Sequence, residues 1–244
     1  MILAAGLGTR LRPLTDHTPK ALIEIGGITI LERIARRLAA AGTDRIIVNV
    51  HHHADQIAAS ATRLAGELGV DVLVSLEGEE PLETGGGLLH AAPLFRRDAP
   101  FFLHNGDIVT EIDLVALYGA HGEDCLATLA VGRRETTRHL LFDERGLLGW
   151  ENLASGRSVR CRETAGETAR WPFAGIHIIS PTILDRITER GAFSIVEVYL
   201  RLAAEGERIL PWDVGEALWL EIGDPARLER ARQTMLAREA RASR

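Results

Sequence analysis

The residues whose types could most clearly support chemistry lie in the first ten positions of the chain. A short apolar strand, Met1 to Ala5, runs into a glycine-containing loop with Gly6, Gly8, Thr9 and Arg10. Glycines let backbone N–H groups approach phosphate oxygens, threonine adds a hydroxyl, and arginine can hold an anion with two hydrogen bonds. Loops beyond the carboxyl ends of strands are where α/β sheets bind ligands. The sequence therefore predicts a phosphate site in this loop.

A single lysine follows ten residues after Arg10. The chain has 28 lysine and arginine residues, and Lys20 is the only lysine among them. Lysine and arginine are not interchangeable where a compact charge on a flexible stem must contact a phosphate. We interpret Lys20 as a functional cation. The alternative is that a single lysine is present by chance and has no special role.

Two common nucleotide-binding patterns do not fit this chain. The dinucleotide fingerprint GxGxxG fails because Leu11 occupies the position of the third glycine, and the phosphate-loop pattern GxxxxGK[ST] does not occur. The failed fingerprint argues against a dinucleotide-dependent dehydrogenase. The formal net charge of −6 argues against a broad nucleic-acid surface, so positive charge at a phosphate site must be concentrated locally.

Composition and cysteine usage indicate a cytoplasmic protein. No apolar run approaches the roughly 20 residues that span a bilayer, so we expect no membrane association. The opening residues are too few and too uncharged for a secretory signal. Cys125 and Cys161 show no CxxC spacing and are expected to be reduced thiols. The sequence leaves the oligomeric state open and is compatible with a homo-oligomer.

Hydrophobic patterns predict alternating strands and helices over the first half of the chain. Strands are expected at Arg45–Val50, Val70–Leu76 and Phe101–His104, with a helix at Ala54–Leu68. This alternation predicts a Rossmann-like α/β fold with a mixed, mostly parallel central sheet and helices on both faces. The polar stretch 146–170 predicts hairpin strands and a mobile loop in a smaller β subregion.

A glycine-rich loop is expected at Glu83–Gly87, followed by a short helix at Leu88–Leu94. No repeat with a period of 20 to 50 residues is visible, which argues against a solenoid. We therefore expect one domain over residues 1–244.

The motifs together resemble those of the sugar-1-phosphate nucleotidyltransferases. The resemblance lies in LAAGLGTRLRPLT at 3–15, PK at 19–20, PLETGGG at 81–87, NGD at 105–107, FAGI at 173–176 and WLEIG at 219–223. Within this family, the compact length and the ETGGG segment look most like the N-acetylmuramate 1-phosphate uridylyltransferases. Mannose-1-phosphate guanylyltransferase-like proteins are similar too, so UTP and GTP are the favoured donors.

The resemblance implies a reaction and a role for three residues. A sugar 1-phosphate attacks the α-phosphate of a nucleoside triphosphate in line, and pyrophosphate leaves. Arg10 would hold the leaving phosphates, and Lys20 would lie between the two reacting phosphates. Asp107, at a strand end, would bind Mg²⁺, although an aspartate in an Asn-Gly-Asp sequence is also common in simple turns.

The resemblance also implies a nucleotide-binding half at about 1–110 and a sugar-binding half at about 111–230, with a group of binding residues for each ligand. The nucleotide is expected to contact Leu3, Ala4, Ala5, Gly6, Gly8, Thr9, Gly85 and Gly86. The sugar phosphate is expected to contact Asn105, Glu151, Asn152 and Gly175.

Two positions depart from the family pattern. Glu221 stands where the family has a second metal-binding aspartate, and its longer side chain would move the carboxylate outward. Asn152 stands where the family often has a lysine after Glu151. Asp213 lies in a similar Trp-Asp-Val-Gly sequence, eight residues before Glu221. We interpret it as part of a similar sequence that does not bind the metal.

These departures keep two other functions open. A regulatory relative that binds nucleotide sugars without turnover is favoured by Glu221 and Asn152 but opposed by the intact Arg10, Lys20 and Asp107. A cytidylyltransferase acting on choline phosphate has the same opening motif. The run His51–His53 is not expected to bind metal, because three consecutive side chains diverge.

Overall fold

The computed structural model describes residues 1–242, which form two compact units. Unit 1 comprises Met1–Pro81, His104–Ile112 and the described residues from Leu218 onward. Unit 2 comprises Leu82–Leu103 and Asp113–Ala217. The expectation of one domain with a nucleotide half and a sugar half stays a prediction.

The regular elements are numbered in chain order. The strands are β1 Ile2–Leu3, β2 Glu24–Ile25, β3 Ile28–Thr29, β4 Arg45–Val50, β5 Asp71–Leu76, β6 Phe101–Asn105, β7 Ile108–Thr110, β8 Ala127–Val131, β9 Arg138–Asp143, β10 Gly146–Asn152, β11 Arg157–Arg160, β12 Ala169–Trp171, β13 Phe173–Ile179, β14 Ile209–Asp213 and β15 Trp219–Glu221. The helices are α1 Ile30–Ala40, α2 Ala54–Leu68, α3 Glu83–His90, α4 Leu114–Gly119, α5 Ile183–Arg186, α6 Ile195–Ala204 and α7 Pro225–Ala242. Short 3-10 turns cover Thr9–Leu11, Leu14–Asp16, Lys20–Leu22 and Ala92–Leu94.

Parallel strands form the centre of unit 1. β1 pairs in parallel with β4 on one side and with the end of β6 on the other, and β4 pairs in parallel with β5. The apolar, β-branched sequence of β4 buries Ile46, Ile47, Val48 and Val50, as expected for a strand covered on both faces. Helix α1 begins at the cap Thr29, whose hydroxyl accepts a hydrogen bond from the Glu32 N–H.

Unit 2 contains parallel and antiparallel pairings. β8 pairs in parallel with β14 and antiparallel with β13. A separate antiparallel sheet has the order β11–β10–β9–β12 and contains the predicted hairpin strands. The α/β fold with a mostly parallel central sheet is confirmed.

One local prediction was wrong. The expected loop at Glu83–Gly87 is the first part of helix α3, and the helix expected at Leu88–Leu94 ends at His90 before a 3-10 turn. Three successive glycines disfavour a helix, but Gly85, Gly86 and Gly87 are all buried. Tertiary packing therefore overrides the local preference.

No helix within residues 1–242 combines the length and the apolar character needed to cross a membrane.

The cysteines Cys125 and Cys161 are both free thiols, the first buried and the second partly exposed. Burial raises the pKa of both thiols, which keeps them in the protonated, less reactive form at neutral pH.

A buried histidine lies at the end of β6, beside the Asn-Gly-Asp sequence. The backbone N–H of His104 donates to the Met1 carbonyl over 2.9 Å, and its Nδ1 donates to the Asn105 carbonyl over 2.8 Å. Burial lowers the pKa of His104 to about 4, and the hydrogen bond to Asn105 opposes that shift. The unfolded chain therefore binds the proton more readily than the folded protein.

We expect His104 to make the protein sensitive to mild acid. Its contribution to stability should be fully present above pH 6.5 and should decline by about 3 kcal/mol as the pH falls to about 4. Urea unfolding at a series of pH values measures this slope. His104→Gln should flatten it, whereas the same change at the exposed His90 should leave it unaltered. Equal slopes in the wild type and His104→Gln would contradict the prediction.

Candidate active site

The end of β1 approaches the Asn-Gly-Asp sequence so closely that only glycine fits there. The Gly106 N–H donates to the Leu3 carbonyl over 2.8 Å. A Cβ at position 106 would lie 2.4 Å from that oxygen, which is far inside contact distance. Gly106 therefore brings the predicted nucleotide-binding backbone of Leu3 and Ala4 next to Asn105 and Asp107.

A buried polar pair that sequence reasoning missed fixes the same backbone. The Ala4 N–H donates to Asn49 Oδ1 over 2.7 Å, and Asn49 Nδ2 donates to Glu77 Oε1 over 2.6 Å. Both side chains are buried. Buried polar groups are stable only when they are hydrogen-bonded. A lone asparagine inside an otherwise apolar strand was the signal in the sequence.

The opening loop is an exposed turn held by one side-chain hydrogen bond. Gly8 has a left-handed backbone with φ of 62°, and its carbonyl accepts a hydrogen bond of 2.8 Å from the Thr15 hydroxyl. A Cβ at Gly6 would meet no atom within 4 Å, so the space beside it is open. Thr9 and Arg10 begin the 3-10 turn that follows. Phosphate binding by this loop stays a prediction.

Lys20 and Asp107 form an ion pair across 87 positions of sequence. Lys20 Nζ lies 2.5 Å from Asp107 Oδ2, and the two side chains are 13% and 25% exposed. A pair this little exposed is screened less by water than a surface salt bridge. The predicted cation and the predicted metal ligand therefore share one place in unit 1.

Glu221 lies beside Asp107 on the neighbouring strand. β15 pairs antiparallel with β7, with Glu221 opposite Ile108, and the Ile222 N–H donates to the Asp107 carbonyl over 2.9 Å. Glu221 Oε2 also lies 2.9 Å from Arg227 Nη1, an ion pair that sequence reasoning did not anticipate. The backbones of the two predicted metal ligands are thus adjacent, and their joint binding of a metal stays a prediction.

Charged groups converge around Gly223. An ideal Cβ built at this glycine would lie 3.0 Å from Arg10 Nη2, 3.1 Å from Glu221 Oε1 and 3.4 Å from Arg227 Nη1. Any other residue would displace at least one of these groups. Arg10, Glu221 and Arg227 therefore lie together, and Lys20 and Asp107 form a second charged group in the same unit.

The donor set fits a small, hard divalent cation. Mg²⁺ is usually held by one or two carboxylates together with substrate phosphates, and it prefers oxygen ligands. Asp107 and Glu221 supply such oxygens, while Lys20 and Arg227 neutralise them. No group of three or more His, Cys, Asp or Glu side chains within the described part of the chain is arranged to hold a metal alone. A phosphate-bearing substrate would have to complete the coordination.

The predicted sugar-side residues of unit 2 are only partly available for binding. Glu151, in β10, is 8% exposed, and its Oε1 lies 2.7 Å from Arg170 Nε and 3.8 Å from His139 Nδ1. Asn152 Oδ1 accepts a hydrogen bond of 3.1 Å from the Ala154 N–H and so stabilises the turn after β10. Gly175 has φ of 73° inside β13, where the pairing with β8 shifts register.

The glycines predicted to frame the base are packed inside unit 2. The Gly85 and Gly86 N–H groups donate to the Phe193 carbonyl over 2.9 Å and 3.3 Å. A Cβ on Gly85 would lie 2.4 Å from the Phe193 ring, and one on Gly86 would lie 2.5 Å from the Gly191 carbonyl. These glycines are required by the close packing of α3, and their contact with a base stays a prediction.

Fold and site together define an α/β protein whose unit 1 holds cations paired with carboxylates. A family model described as nucleotidyl transferase matches residues 1–140. The chain is 37% identical to the N-acetylmuramate α-1-phosphate uridylyltransferase of Caulobacter vibrioides, over 99% of this chain and 95% of that protein. The chain belongs to the nucleotidyl transferase family.

More distant relatives agree with this assignment. The chain is 30% identical to the mannose-1-phosphate guanyltransferase of Neurospora crassa over 92% of its own length, but it spans only 60% of that relative. Among solved structures, a putative glucose-1-phosphate thymidylyltransferase from Bacillus anthracis has the same fold, with a TM-score of 0.77 at 16% identity over 96% of this chain and 93% of that one. The activity is nucleotidyl transfer to a sugar 1-phosphate, and enzymes of this family generally use a divalent metal.

We expect Lys20→Arg to impair catalysis without impairing folding. The planar guanidinium cannot occupy the compact position of Nζ beside Asp107, so turnover should fall about 100-fold, as on loss of a preorganised charge contact. Pyrophosphate release measures turnover, and a thermal melt measures stability. The opposite exchange at the exposed Arg12, Arg12→Lys, should leave both unchanged. Turnover of Lys20→Arg equal to that of the wild type would disprove the role of Lys20.

Proposed function

We propose that this enzyme transfers a uridylyl group from UTP to a sugar 1-phosphate, with Mg²⁺ as the metal. The observation that carries the proposal is a charged cluster in unit 1 made of two groups, Lys20–Asp107 and Arg10–Glu221–Arg227. A hydrogen bond from the Ile222 N–H to the Asp107 carbonyl links the backbones of the two groups. UTP is favoured over GTP because the uridylyltransferase relative matches along nearly its whole length. N-Acetylmuramate 1-phosphate and mannose 1-phosphate are the acceptors that the relatives suggest.

The reaction requires two anions to meet. A phosphate oxygen of the sugar 1-phosphate forms a bond to the α-phosphorus of UTP, and the bond from that phosphorus to the bridging oxygen breaks. The electron pair leaves with pyrophosphate, so no covalent enzyme intermediate is needed. Positioning and charge neutralisation then supply the catalysis.

Each cation of the cluster has a separate task in this proposal. Lys20 reduces the repulsion between the acceptor phosphate and the α-phosphate, because its flexible stem lets Nζ contact both. Arg10 holds the β- and γ-phosphates with its planar donor pair as negative charge develops on the leaving group. The glycine turn at Gly6 and Gly8, with Thr9, cradles the same phosphates through backbone N–H groups.

Asp107 and Glu221 would hold the Mg²⁺ ion. When bound, the ion withdraws charge from the phosphate oxygens and helps to align them. The longer Glu221 side chain reaches Arg227, so this arginine competes for the carboxylate until the ion and substrate are bound.

The residue proposed to contact the sugar hydroxyls is Glu151, with Asn105, Asn152 and Gly175. We also propose a cytoplasmic location, which agrees with two free cysteines.

The purified protein with Mg²⁺ should release pyrophosphate from UTP when given a suitable sugar 1-phosphate. Four nucleoside triphosphates are tested against several sugar 1-phosphates, and CTP is also tested with choline phosphate. Removal of the metal with EDTA should abolish release, and added Mg²⁺ should restore it. Nucleotide-sugar binding without turnover in every combination would support a regulatory protein instead. Release only from CTP and choline phosphate would support the cytidylyltransferase alternative.

Glu221→Gln should weaken metal use specifically. Loss of one of two carboxylates should raise the Mg²⁺ concentration needed for half-maximal activity about tenfold or more. Asp213→Asn provides the matched control, because the Asp213 carboxylate accepts a hydrogen bond from the Gly215 N–H in its own turn. A greater Mg²⁺ requirement in Asp213→Asn than in Glu221→Gln would show that the wrong carboxylate was assigned.

A further inference from the structure

Arg227 is held between two carboxylates at the start of helix α7. Its Nη1 lies 2.9 Å from Glu221 Oε2, and its Nε lies 3.3 Å from Asp224 Oδ2. The other oxygen of Asp224, Oδ1, accepts a hydrogen bond of 2.9 Å from the Arg227 backbone N–H. Asp224 thus contacts both the main chain and the guanidinium of Arg227, so these contacts hold Arg227 in place even when Glu221 turns away.

The Glu221 carboxylate lies beside two guanidinium groups. A Cβ built on Gly223 would lie 3.1 Å from Glu221 Oε1, 3.0 Å from Arg10 Nη2 and 3.4 Å from Arg227 Nη1. Like charges repel strongly at such separations when water is partly excluded. A metal ion that approached Glu221 alone would therefore meet two cations, one of which already holds the carboxylate.

A phosphate group removes this opposition. Guanidinium groups bind phosphate through paired N–H donors. The Arg227 side chain is 46% exposed, so a phosphate can reach it. When Arg227 Nη1 turns from Glu221 to a phosphate oxygen, the carboxylate becomes available to a metal ion, and the phosphate adds the oxygen ligands that Mg²⁺ needs. Metal and phosphate each then favour the binding of the other.

We propose that Arg227 couples metal binding to phosphate binding. It keeps Glu221 from the metal until a phosphate of the nucleotide, or of pyrophosphate, draws the guanidinium away. The inference rests on the proposed function, in which Glu221 is a metal ligand, and Arg227 is a positioning residue because it acts on the metal through Glu221. Coupling of this kind is reciprocal, so pyrophosphate tightens metal binding by the same factor by which metal tightens pyrophosphate binding.

Mn²⁺ binding measures this coupling without any turnover. Electron paramagnetic resonance reports the free ion while purified protein is titrated with Mn²⁺, first alone and then with saturating pyrophosphate. Arg227→Gln should bind Mn²⁺ alone about tenfold more tightly than the wild type, and pyrophosphate should strengthen that binding about tenfold less than in the wild type. Damage to the fold would weaken metal binding, so a tighter site distinguishes the positioning role from a structural one. Complexes of Mn²⁺ with pyrophosphate in solution contribute equally for every variant.

A matched control removes a charge from the same helix. Arg230 lies about one turn beyond Arg227 and is exposed, and within residues 1–242 no ion pair joins it to Glu221. Arg230→Gln should therefore keep the Mn²⁺ affinity and the coupling of the wild type. A change as large in Arg230→Gln as in Arg227→Gln would overturn the inference, because it would indicate a general effect of charge. Arg227→Lys keeps the charge without the planar donor pair and should fall between the wild type and Arg227→Gln.

Variants of the proposed metal ligands separate this inference from the proposed function. In a Glu221→Gln background, Arg227→Gln should cause no further tightening, because the carboxylate through which Arg227 acts is gone. Unchanged Mn²⁺ affinity in Arg227→Gln, with weaker binding in Asp107→Asn and Glu221→Gln, would overturn the inference alone. Unchanged affinity in all three variants would remove the proposed metal site and the inference with it. The titrations need no acceptor and no particular base, so failure of UTP as the donor would leave them unaffected.

Discussion

The ion pair between Lys20 and Asp107 is the constraint on which the active site depends. It joins the end of the opening loop to the sequence after β6, and it places the only lysine of the chain against a carboxylate. A partly buried charge is costly unless a partner compensates it. Replacing either Lys20 or Asp107 alone would therefore leave the other charge without its partner. Both side chains remain partly exposed, so an anion and a cation can reach them.

A second pair repeats this arrangement a short distance along the sheet edge. Glu221 is neutralised by Arg227, and the absence of a side chain at Gly223 lets Arg10 approach the same carboxylate. Each proposed metal ligand thus has a cation beside it before substrate binds. In the proposed reaction, Asp107 and Glu221 would hold the metal, which would leave Lys20 and Arg10 to bind the phosphates. The cations and carboxylates are thus placed before substrate binds, so little reorganisation is needed during the reaction.

Much of the site could be predicted from sequence because its residues are rare or locally constrained. Lys20 is unique in the chain, and the left-handed Gly8 lies in a loop where no side chain fits well. The role of Arg227 could not be predicted, since one arginine among many on a charged helix has no local signal. Gly85 and Gly86 were read as a loop because local propensity disfavours a helix there. Their contact with Phe193 depends on residues more than 100 positions away.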